Sequence, residues 1–163
     1  MIGNLLRVKL TDLEAYLIDS SLLEDFIYND DEADQTNLID IDKAWEGILY
    51  LLTGQSLAEV NHPLAAVLFS GQLIDDEQDL GYGPANYLTA EEVSLLNEQI
   101  FKITATDLKA RFNPSEMNQL GIYPEGWDEG DESFDYLYEY FCALQQFYAQ
   151  AAANREAVIT FLN

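Results

Sequence analysis

The sequence predicts an α+β domain, mostly helical and packed on a small sheet built from N-terminal, mid-chain and C-terminal strands. Three observations predict it. Strand-like patterns stand at both ends of the chain and near its middle. Between them lie stretches whose apolar residues recur at i, i+3 and i+4. The length, 163 residues, suits one domain, and no repeat or linker divides it, so residues 1–163 form a single unit.

The first strand is expected between Ile2 and Leu10, where Leu6, Val8 and Leu10 alternate with Arg7 and Lys9 and suggest a half-buried strand. Thr11 or Asp12 then caps a helix bearing Leu13, Leu17 and Ile18. A second helix carries Leu22, Leu23, Phe26 and Ile27, and Asn29 to Asn37 reads as a solvated acidic loop. The next helix begins near Asp42. Asp40 and Asp42 favour its positive N-terminus, Trp45, Ile48, Leu49 and Leu52 form one apolar face, and Gly54 stops it. After His62 and Pro63, Leu64 to Phe69 makes a short apolar helix ending near Gly71.

Tyr82 to Leu88 looks extended, with Pro84 marking an edge or an irregular strand. Thr89-Ala-Glu-Glu fits a capping box, after which Val93, Leu96 and Ile100 share a face. Thr104 to Phe112 is helical, with Leu108 and Phe112 inward. Asn113 and Pro114 read as an N-cap and a first helical residue, opening a short helix to about Leu120. A turn-rich stretch from Gly121 to Glu132 precedes the longest helix, Ser133 to Ala153, whose core face is Phe134, Leu137, Phe141, Leu144, Tyr148 and Ala151. Ala157 to Leu162 closes the chain as a strand.

The exceptional quantity is charge. Seven Lys and Arg face thirty Asp and Glu, a net charge of −23 at pH 7. Such a field repels phosphate backbones and anionic lipid, so neither nucleic acid nor membrane is an expected partner. It steers a basic protein inward and also keeps the chain soluble. Cys142, the single cysteine, excludes an internal disulfide and is expected to be a buried, inert thiol. MIGNLLRVKL lacks a signal-peptide apolar core, and no run approaches the ~20 apolar residues of a membrane span. A cytoplasmic protein is expected.

The segments IDIDKAWEGILYLLTG, HPLAAVLFSG, LGYGPANYLTAEEV, IYPEGWDE and YLYEYFCALQQFYAQAAANREAVITFL occur in this order. Together they resemble the YfbM-like family of small bacterial proteins, a domain of unknown function. The resemblance runs from about Asp40 to the C-terminus and more weakly over the first strand. It implies a compact, mostly helical α+β domain and no assigned activity. Family members often place a histidine where this chain has Tyr50.

Chemistry-bearing patterns are sparse. His62, the one histidine, would have to serve any imidazole-based triad, and it reads as a capping residue. One Cys and one His exclude a thiolate–imidazole zinc cluster within the chain. Gly81 to Pro84 lacks the spacing of a phosphate loop. Asp30, Glu32 and Asp34 alternate as in a calcium loop, but Gln35 stands where glycine is needed and Ile41 where the bidentate glutamate belongs. Asp75, Asp76, Glu77 and Asp79 have no recognised metal geometry, and no catalytic residue, metal or cofactor is assigned.

The aromatics are more suggestive. Trp45, Tyr82, Tyr87, Tyr123 and Trp127 sit at helix-terminal or polar positions, with Asp128 and Glu129 beside Trp127. If the 121–132 stretch folds over the start of the Asp42 helix, Lys43, Trp45, Tyr82, Tyr123, Trp127 and Asp128 gather in a cleft suited to a cationic group. The competing explanation is that these rings are core fillers. Lys43 is expected to pair with a neighbouring acid.

The leading expectation is a non-enzymatic interaction protein binding a basic partner protein, for example an immunity-type protein docking on a basic toxin. The alternative is a small-molecule binder or a carboxylate-based hydrolase with an aromatic cleft. A third reading, a nucleic-acid mimic, requires carboxylates in rows along one face.

Overall fold

The computed structural model describes residues 1–28, 36–128 and 130–163. The expected acidic loop, apart from its last two residues, therefore lies outside the described residues, as do the calcium-loop candidates Asp30, Glu32 and Asp34, and Glu129.

Four strands form one antiparallel sheet in the order β2-β1-β4-β3. Strand β1 spans Gly3–Val8, β2 Leu38–Asp40, β3 Asn86–Leu88 and β4 Ala157–Leu162. β1 and β4 pair over six residues, with Leu5 opposite Thr160 and Leu6 opposite Ile159. The two ends of the chain thus make the centre of the sheet, and the short strands blunt its edges. The sheet was expected from three strands. β2 is an addition: Asp40, read as a helix cap, also pairs with Asn4 on β1.

All six residues of β1 are buried, so the expected half-buried strand is corrected to a fully buried one. The cause is that both faces of the sheet are covered. Period-two alternation sends Leu5 and Val158 to one face and Leu6, Val8, Ile159 and Phe161 to the other. The first face carries the main core, built from α3 (Trp45–Thr53), α4 (Ala90–Ile100), α5 (Ala105–Arg111), α6 (Pro114–Gln119) and α7 (Asp131–Asn154). The second is covered by α1 (Leu10–Ile18), α2 (Ser21–Tyr28) and the 74–85 segment, through Leu13, Leu23, Ile74, Leu80 and Ala85.

α3 is the hub. The chain enters it through a 3-10 turn, Asp42–Ala44, and every residue from Trp45 to Leu52 is buried. The expected single apolar face is therefore too narrow a description: helices and sheet enclose α3 all round. Gly54 ends it at φ 73°, a left-handed position that glycine takes without penalty. Gly47 serves closeness instead. A Cβ there would stand 2.5 Å from Leu137 Cδ2 and 3.0 Å from Trp127 Cη2.

Several local expectations match. Thr89 and Glu92 make the capping box of α4, Asn113 caps α6 with Pro114 in its first turn, and all six inward residues named for the longest helix are buried. His62 caps the turn that follows it, its Nδ1 accepting from the Leu64 N–H at 3.1 Å. That turn, Pro63–Val67, is 3-10 rather than α-helical. α1 begins one residue before Thr11, and Lys9 at its N-cap makes no side-chain cap. Cys142 is half-buried beside the Tyr138 hydroxyl, not sealed in the core.

Candidate functional site

A cleft of about 350 Å³ opens where the 3-10 turn before α3, the Pro124–Asp128 loop and the first turns of α7 meet. Asp42 begins the turn at φ 48°, a left-handed conformation that aspartate tolerates better than most residues. From there its Oδ2 accepts from the Tyr136 hydroxyl of α7 at 2.9 Å. Burial, then the hydrogen bond to Asp42, pushes the Tyr136 phenol well above its ordinary value. Tyr136 therefore stays a neutral donor, and Tyr140 meets it edge-on at 5.2 Å.

Trp127 forms the inner wall and is 8% exposed. Asn118 of α6 holds its backbone from both sides, donating to Trp127 O at 2.7 Å and accepting from Trp127 N at 2.9 Å. The indole Nε1 donates to Ile122 O at 2.8 Å. Asp128 then turns the chain into α7, its Oδ1 accepting from Gly130 N at 2.9 Å and from Ser133 Oγ at 3.3 Å. Glu125 at φ 70° and Gly126 at φ 76° make the loop tight, next to a cis Tyr123–Pro124 peptide. Asp42, Glu125, Asp128 and Glu132 line the cleft against a single ammonium, Lys43.

Three of the six expected residues meet here: Lys43, Trp127 and Asp128. Trp45 and Tyr123 do not. Trp45 is 2% exposed, stacked on Tyr123 at 5.5 Å between ring centroids and set edge-on to Phe69 at 5.7 Å. Its Nε1 is buried without an acceptor among the described residues. Tyr123 donates its N–H to Glu46 Oε2 at 2.9 Å, and its hydroxyl accepts from the N-terminal amine at 3.0 Å. For this pair the core-filler explanation holds. Tyr82 is 59% exposed in the Gly81–Gly83 loop, whose Gly81 packs against Asn163, and it does not line the cleft. Lys43 makes no ion pair among the described residues, contrary to expectation, and its exposed side chain stands at the rim.

Several lining residues were not singled out from the sequence, among them Glu125, Glu132, Ser133 and Tyr136. Tyr136 and Tyr140 carry a readable signal, since they lie four apart and off the apolar stripe of α7. Asp42, with Asp40 an Asp-x-Asp pair, was assigned to helix capping.

Among the described residues, Ser133 of the cleft donates to the Asp128 carboxylate, and His62 is engaged as a cap elsewhere. The one buried carboxylate near Trp45, Glu46, accepts from the backbone N–H groups of Leu57 and Tyr123 and acts as a strut. No group of three or more potential metal ligands occurs among the described residues. No helix among them is long and apolar enough to cross a membrane.

A family model described as "Domain of unknown function (DUF1877)" matches residues 1–161. The chain belongs to that family. Its fold is shared by a solved relative in shape: the crystal structure of a protein of unknown function, YfbM from Escherichia coli, superposes with a TM-score of 0.75 at 18% identity, covering 100% of both chains. At that identity the likeness establishes the α+β fold and nothing about activity. No curated protein matches the chain.

Proposed function

We propose that this DUF1877-family protein is a non-enzymatic interaction protein that captures a basic partner protein, with the Trp127 cleft receiving one of the partner's cationic side chains. The observation that carries the reading is the composition of the cleft: four carboxylates and two aromatic rings around a concave site on a chain of net charge −23. A guanidinium or ammonium there gains from the carboxylates and from the ring faces. The wider field raises the encounter rate. An immunity-type role against a basic toxin fits this profile.

The test is calorimetric titration with an arginine homopeptide at low and high salt. Wild type should bind and weaken steeply with salt. Neutralising the cleft with Asp42→Asn, Glu125→Gln and Asp128→Asn should weaken binding about tenfold or more, beyond three neutralised acids elsewhere on the surface. Equal losses from the two sets would remove the cleft from the proposal.

A further inference from the structure

α1 carries apolar side chains that the core does not use. Leu13, with Tyr16 packed beside it, ties the helix to the second core, while Leu10 and Leu17, two turns apart on one face, stay exposed. Ile18, at the end of the helix, is 87% exposed and Leu17 42% exposed. Across a groove of about 510 Å³ stands Leu73, 38% exposed. Isolated exposed apolar residues are ordinary, but three around one groove are not.

The groove has fixed walls and an acidic rim of Asp19, Asp75 and Asp76. Ser20 Oγ donates to Asp75 Oδ2 at 2.7 Å, and Gln78 Nε2 donates to Ser20 O at 3.0 Å, tying the 73–78 segment to the α1–α2 junction. The Ser20 hydrogen bond and the Glu77 backbone N–H hold Asp75 below its ordinary value, so that carboxylate stays charged. The carbonyl end of α1 adds partial negative charge.

Charge selects the occupant. A second copy would bring the same three carboxylates and another −23, and an anionic lipid surface is repelled likewise. We propose that the groove between the end of α1 and the 73–76 segment docks a basic amphipathic helix of a partner protein, its apolar side chains on Leu17, Ile18 and Leu73 and its Lys or Arg side chains on the rim. The proposal rests on the reading above that the partner is basic, and adds a surface distinct from the Trp127 cleft.

The experiment measures fluorescence anisotropy of a labelled amphipathic peptide of leucine and lysine against the intact chain. Ile18→Asn with Leu73→Asn should weaken binding about tenfold. Leu95→Asn with Phe101→Asn, an exposed apolar pair at α4, should leave it unchanged. Because all four side chains are exposed, unchanged thermal midpoints confirm that both variants fold. Undiminished binding by the groove variant, equal loss at the α4 pair, or equal affinity for a leucine–glutamate peptide would each overturn the proposal. So would a dimer in sedimentation that the groove variant dissolves, because the occupant would then be a second copy. The arginine homopeptide separates the two claims. If it still binds in an Asp42-dependent way while the leucine–lysine peptide ignores Ile18 and Leu73, the groove assignment fails and the cleft reading stands.

Discussion

At the scale of single residues, the cleft depends on Gly47 and on the Asp42–Tyr136 pair. Gly47 lets Trp127 and Leu137 lie on the α3 backbone. Gly47→Ala gains up to about 1 kcal/mol of helix propensity but overpacks two buried side chains, for a net loss of roughly 1–2 kcal/mol in chemical denaturation. A neutral or stabilising result would mean that Leu137 and Trp127 move freely. Tyr136→Phe removes the hydroxyl that holds Asp42 and should cost about 1 kcal/mol by the same measurement. Residues of this kind were half legible. Trp127, Asp128 and Lys43 were found because they neighbour one another in a turn-rich stretch or open a helix. Tyr136 was missed because it reaches Asp42 from 94 positions away, a distance no local pattern reports.

At the scale of elements, local chemistry decided what was readable. α4 announces itself through Thr89 and Glu92, whose hydrogen bonds satisfy otherwise unpaired N–H groups. Thr89→Ala should cost about 1 kcal/mol. The gap to wild type should also depend on pH. Hydrogen bonds from Gln72 and Thr89, outweighing burial, hold Glu92 below the 4.5 of an ordinary glutamate. Its contribution is therefore complete above that value and is lost as pH falls through the lower folded one. Thermal midpoints of the two proteins should converge as pH drops below 4.5, and a gap that widened would contradict the capping account. β2 was not legible, since three residues become a strand only by pairing with β1. The burial of α3 on every side was equally hidden, because it comes from what packs around the helix.

At the scale of the whole molecule, charge dominates. Only two ion pairs occur among the described residues, Arg7–Glu156 at 3.5 Å and Lys109–Asp131 at 3.0 Å, so salt has little attraction to screen and much repulsion. Raising ionic strength from about 10 mM to about 150 mM shortens the screening length from roughly 30 to 8 Å and should raise the thermal midpoint. A falling midpoint would show that unseen attractive pairs outweigh self-repulsion. The same field underlies the claim that a basic protein is the partner, and the cleft gives that claim an address. A residue-resolved NMR titration with the arginine homopeptide tests it most directly. The account predicts that the Trp127 indole N–H and the amides of Lys43 and Asp128 shift most, while the Trp45 indole, buried under Tyr123, stays still. Shifts spread evenly over the acidic surface, or absent from Trp127, would contradict it.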